Sequence, residues 1–152
     1  KETGREMILW DGACIVHEAF AIDKILKLYK DHPEAKFLAH PEARGEILEL
    51  AAYIGSTAGI INFAKNDDAS EYIIATEAGI LHEMQKQVPD KRLIPAPAEE
   101  DNTCACSECH YMKMNTLEKI YNCLKTEAPE LDLPEELREK AYRPIERMLH
   151  LS

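Results

Sequence analysis

The sequence predicts an α/β fold: a three-layer αβα repeat on a four-stranded parallel sheet, followed by a helical C-terminal tail. Three observations predict it. Four short apolar runs recur in the first two thirds of the chain: "MILW" (7–10), "KFLAH" (36–40), "EYIIAT" (71–76) and "RLIPA" (92–96). Helically patterned segments separate them, so the strands pair in parallel through crossovers. Beyond Pro97 no strand pattern recurs.

Each element has its own local reason. The run 7–10 closes on Asp11-Gly12, a turn signal. Ile15, Phe20, Ile22, Ile25, Leu26 and Leu28 then form a helical stripe over 16–28, broken at Asp31-His32-Pro33. The second run ends at Pro41, and 43–53 reads as a helix with Ile47, Leu48, Leu50 and Ala51 on one face. Gly55 ends that helix, and Ser56-Thr57 can cap the next, which runs to about Lys65. The turn-rich "NDDAS" precedes the third strand, 79–88 is helical, and "PDK" turns into the fourth strand. An acidic loop, "AEEDNT", leads to a cysteine cluster. Leu117, Ile120, Tyr121 and Leu124 mark an amphipathic helix over 115–127, and a last helix runs from Glu135 to about Leu149. The boundary between the α/β part and the tail is placed at 109/110, and the tail needs something to pack on.

A chain of 152 residues holds one domain with a sizeable core, or a domain plus an appendage. Twenty-eight acidic against 18 basic residues, a net charge of −10, argue against a nucleic-acid partner, which would require a basic face. No run approaches the ~18 apolar residues of a membrane span, and no signal-peptide pattern opens the chain. The charged start "KETGRE" reads as a cut inside a longer polypeptide. Five clustered cysteines suit metal binding or catalysis in a reducing cytoplasm better than a secreted disulfide framework.

Ligands of open parallel sheets bind beyond the carboxyl ends of the strands. Each predicted strand runs there into polar residues: Cys14 and His17 in "DGACIVHE", His40 and Glu42 in "HPE", Thr76 and Glu77 in "TEAG", and finally the cysteines. As a pair, His40 and Glu42 can supply a general acid/base and its orienting partner, or simply a structural His beside a first-turn carboxylate. "GSTAG" (55–59) is either an ordinary helix cap or a cradle for a phosphate or carboxylate. No Walker or G-x-G-x-x-G motif points to a nucleotide. His17, His82, His110 and His150 are read as incidental. Cys104, Cys106 and Cys109 form a CxC and a CxxC without a matching second knuckle. Cys123, on the inner stripe of its helix, is expected in the core. Residue chemistry alone leaves a structural zinc, held by these three cysteines with Cys14, and an iron–sulfur cluster both open.

Five motifs taken together carry a resemblance. "WDGACIVHEAF", "FLAHPEA", "IGSTAGI", "ATEAGILHEM" and "CSECHYMKMNTL" resemble, in order and spacing, the second half of quinolinate synthase, the iron–sulfur enzyme of de novo NAD synthesis. The resemblance implies three related α/β repeats around a pseudo-threefold axis. This chain would supply the third, and the first two would be absent from it. It implies a [4Fe–4S] cluster with three cysteine ligands, of which Cys14 and Cys109 match two, the remaining iron being open to substrate. It implies condensation of iminoaspartate with dihydroxyacetone phosphate, with His40 and Glu42 as catalytic and substrate-binding residues and Ser56 and Thr57 holding a phosphate or carboxylate. Iminoaspartate would come from an aspartate oxidase or dehydrogenase. The chain departs from the family pattern in its CxC and in His110, where proline is usual.

Overall fold

The computed structural model describes residues 4, 6, 8, 11–99 and 107–151. Of the first predicted strand, 7–10, only Ile8 is described, and Cys104 and Cys106 fall outside the described residues. The chain divides into two compact units, Lys1–Lys113 and Met114–Ser152.

The first unit carries a four-stranded, wholly parallel sheet of β1 (Lys36–Ala39), β2 (Tyr53–Ile54), β3 (Glu71–Ala75) and β4 (Arg92–Pro95), in the order β2-β1-β3-β4. Helices α1 (Ile15–Glu18) and α2 (Ile22–Asp31) precede the sheet. Helices α3 (Gly45–Leu48), α4 (Thr57–Asn66) and α5 (Ile80–Gln87) form the crossovers, and α6 (His110–Lys113) closes the unit.

Two expectations are corrected here. The 43–53 helix stops at Leu48, after which the backbone turns into β2. The Ala52 N–H donates to the Phe37 carbonyl at 2.8 Å and the Gly55 N–H to that of Ala39 at 3.1 Å. Pairing with β1 therefore overrides the helical propensity of "LELAAY". The 16–28 helix is also split. Phe20 forms an antiparallel bridge with Ala98, and the Glu99 N–H donates to the Ala19 carbonyl at 2.8 Å, so α1 and α2 are separate.

Strand alternation sorts the core into two layers. Phe37, Ala39, Ile73 and Ala75 face Phe20, Ile25 and Ile47, while Leu38, Tyr72 and Ile74 face Ile60, Ala64 and Met84. Each large side chain so enclosed contributes about 1.5–3 kcal/mol. The α2 and α5 helices end alike, at His32 and Val88, both with φ −132° and both followed by proline. Proline disfavours helical backbone in the residue before it.

At the amino ends of β1 and β3, Asp67 accepts hydrogen bonds from Lys36 Nζ, the Ala69 N–H (3.0 Å) and the Tyr72 hydroxyl (2.8 Å). Chiefly through Lys36, its carboxyl is held down at about 2, from 3.8. A carboxyl depressed on folding contributes stability above its unfolded pKa and loses it as pH falls toward the folded value. Thermal melts between pH 5 and 2 are expected to show a steep loss of Tm in the protein as it stands and a shallower one in Asp67→Asn.

The second unit contains α7 (Leu117–Thr126) and α8 (Glu135–Leu149), close to the helices expected there. Thr116 caps α7, accepting from the Lys119 N–H at 3.2 Å. None of its described residues is buried, and Leu117 and Leu124 lie exposed. Cys123 is likewise exposed, which corrects the core position expected for it.

Candidate functional site

The strand order reverses between β1 and β3: the chain leaves β1 for β2 on one side and returns to β3 on the other. Such switch points open a crevice at the carboxyl ends of the strands. The residues that follow β1 and β3 here are His40-Pro41-Glu42 and Thr76-Glu77. His40 extends the ladder by one bond, its N–H donating to the Ala75 carbonyl at 3.0 Å, and the chain then turns so that the Ala43 N–H reaches the His40 carbonyl at 3.0 Å.

His17 joins the two strand ends. Its Nδ1 lies 2.9 Å from Glu42 Oε2 and its Nε2 3.1 Å from Thr76 Oγ1, and its ring stacks on His40 with centroids 4.3 Å apart. His17 is only 6% exposed. Burial first, then the neighbouring His40 ring, hold its pKa below the usual imidazole range, against the opposing pull of Glu42. This placement overturns the expectation of an incidental histidine at position 17. Its spacing, Cys14-x-x-His17 at the start of a helix, was the available signal, because three residues on an α-turn place both side chains on one side. The pairing foreseen between His40 and Glu42 is the looser one, with Nδ1 and Oε2 3.7 Å apart.

A cavity of about 660 Å³ opens above this network, within the range of small-molecule sites. His17, His40, Glu42, Thr57, Thr76 and Glu77 contribute to its wall. Ser56 is the N-cap of α4, its Oγ accepting the Gly59 N–H at 3.2 Å. A hydroxyl that accepts in this way still has its own proton to donate. Thr57, the first residue of α4, brings that helix start to the cavity.

Cys109 reaches the same rim through Glu77. One Glu77 oxygen accepts the Gly79 N–H at 2.8 Å and the other the Cys109 N–H at 3.3 Å. A Cβ at Gly79 would stand 2.7 Å from Glu77 Oε2, so a larger residue there would oblige the Glu77 carboxylate to shift. Ser107 completes the attachment. Its carbonyl accepts the Ala78 N–H at 2.9 Å, and its buried hydroxyl donates to the Ala96 carbonyl at 2.8 Å. Glu77→Gln removes one of the two acceptors at a cost of about 1–2 kcal/mol. Amide exchange at Cys109 or Gly79 is accordingly expected to accelerate by roughly tenfold, read by hydrogen–deuterium exchange.

Comparison with known proteins decides the family. The family model described as "NadA: Quinolinate synthetase A protein" matches residues 1–150. The chain belongs to the quinolinate synthetase A family. A quinolinate synthase of Synechococcus sp. is 49% identical over 152 residues, all of this chain and 47% of that protein. Those of Microcystis aeruginosa and Cyanothece sp. are 51% and 50% identical, over 47% and 46% of their lengths. The chain thus spans about half the length of the curated relatives it matches.

For a quinolinate synthetase A family chain, the thiols are the residues to weigh against an iron–sulfur cluster, whose usual ligands are thiolates. Cys14 and Cys109 are both free and partly exposed. Donor atoms of Cys14, His17 and Glu42 lie within 4.8 Å of one another. The Cys109 N–H is bonded to Glu77, the residue after Thr76, whose hydroxyl partners His17. Cys14 stands in this set and Cys109 is joined to the rim through its N–H bond to Glu77, and both carry the thiol that such a cluster takes as ligand. Among the described residues no helix is long and apolar enough to cross a membrane.

Proposed function

We propose that this chain forms one part of a quinolinate synthase, the α/β repeat that ends near residue 109 together with its helical tail. The assembled enzyme condenses iminoaspartate with dihydroxyacetone phosphate to quinolinate, water and phosphate. The observation that carries this reading is the tie of both switch-point strand ends to one buried imidazole, in a chain of this family.

Cys14 and Cys109 hold a [4Fe–4S] cluster, with a third thiolate from the remainder of the enzyme. When bound, the cluster supplies a Lewis-acidic iron that assists dehydration. Glu42 holds and returns protons at the carboxylate oxygen not engaged by His17, and His17 orients it. His40 binds a substrate carboxylate. The Ser56 and Thr57 hydroxyls, at the positive end of α4, bind phosphate or carboxylate. Among the described residues, the acidic first turns of other helices bear no such hydroxyl pair, which favours this helix start for the anion.

The enzyme is placed in the cytoplasm, with an aspartate oxidase or dehydrogenase supplying iminoaspartate. The test is quinolinate formation by the anaerobically iron-loaded full-length enzyme. Product that depends on both substrates supports the reading, and its absence from well-folded, iron-loaded protein overturns it.

A further inference from the structure

Cys14, His17 and Glu42 form a donor set of a different kind from three thiolates. Their ligand atoms lie within 4.8 Å of one another, close to the roughly 3.3–3.8 Å spacing of ligands around a tetrahedral ion with bonds of ~2.0–2.3 Å. His17 Nδ1 and Glu42 Oε2, at 2.9 Å, need part by only a few tenths of an ångström. Cys14 and His17 come from one helical turn and Glu42 from the end of β1, so two separate elements hold the three donors.

The outer contacts suit a metal. His17 Nε2 lies 3.1 Å from Thr76 Oγ1, and in the tautomer that donates there the Nδ1 lone pair faces Glu42 and is available to a cation. A second ring nitrogen engaged in this way is the common arrangement of metal-bound histidine. One thiolate and one carboxylate neutralise a dication. Sulfur and imidazole donors favour a borderline ion such as Zn²⁺ over Mg²⁺ or Ca²⁺.

We propose that, in the cluster-free protein, Cys14, His17 and Glu42 bind a single zinc ion with an open fourth position, so that zinc and iron compete for Cys14. This site differs from a zinc held by the 104–109 cysteines; the competition with iron rests on the cluster reading proposed above, whereas the binding of zinc does not.

The test uses full-length protein, iron-free and reduced, titrated anaerobically with Co²⁺ as a spectroscopic probe and then with Zn²⁺. One equivalent of cobalt is expected to give a thiolate-to-cobalt charge-transfer band with intense four-coordinate d–d bands, which zinc then bleaches. Cys14→Ser is expected to abolish the charge-transfer band, while Cys109→Ser retains it. Glu42→Gln and His17→Ala are each expected to weaken cobalt binding by about tenfold or more. Glu42 is 58% exposed, and circular dichroism checks that its substitution leaves the fold intact. A charge-transfer band that survives Cys14→Ser overturns the proposal. So does one lost in Cys109→Ser, unchanged affinity in Glu42→Gln, or no cobalt binding.

Discussion

Glu42→Gln is expected to lower kcat for quinolinate formation by about 10²–10⁴-fold, with a much smaller change in KM. The substitution keeps the shape of the side chain and its place after β1, but an amide cannot take up a proton at that position. One Glu42 oxygen is committed to His17 at 2.9 Å, and the 58% exposed side chain leaves the other open to the cavity. Steady-state kinetics across pH checks this, because loss of a proton-transfer group also flattens the limb of the profile that it governs. A kcat within a few-fold of the unsubstituted enzyme would remove Glu42 from the chemistry and leave it a structural brace for His17.

The second large effect is expected at the thiols. Cys14→Ser and Cys109→Ser should each abolish stable cluster loading, with activity falling to background. A serine oxygen is a poor substitute for a thiolate toward iron. The two residues are far apart in sequence but reach one rim by different routes. Cys14 occupies the N-cap position of the short helix that carries His17, and the Cys109 N–H is held by the carboxylate that follows Thr76. Iron and acid-labile sulfide analysis with visible absorption checks each variant. If either single variant retains full iron and sulfide, that residue is not a ligand.

Much of this arrangement was legible in the sequence, because it rests on local signals. The runs "KFLAH", "EYIIAT" and "RLIPA" became β1, β3 and β4, and the Ser56 cap and the proline-limited helix ends fell where the residues indicated. The polar residues after β1 and β3 pointed to the rim because parallel pairing brings like ends together.

Long-range contacts decided the rest. Tyr53-Ile54 is too short to show alternation and follows a helix-forming run, so only its pairing with Leu38 and Ala39 reveals β2. His17 looked incidental because its partners lie 25 and 59 residues away. Its burial, and its stacking on His40, come from β1 and β3 being neighbours. Periodicity within one segment cannot report that adjacency. Cys123 shows the opposite error: an inward stripe was inferred from spacing alone, and its residues are exposed.

Anomalous diffraction at the iron edge from anaerobic crystals of the full-length, iron-loaded enzyme tests the central claim most directly. The account predicts one iron cluster at the carboxyl ends of β1 and β3, bonded to the sulfurs of both Cys14 and Cys109 and facing Glu42. Iron bonded elsewhere, or the two sulfurs on opposite sides of the sheet, would contradict it.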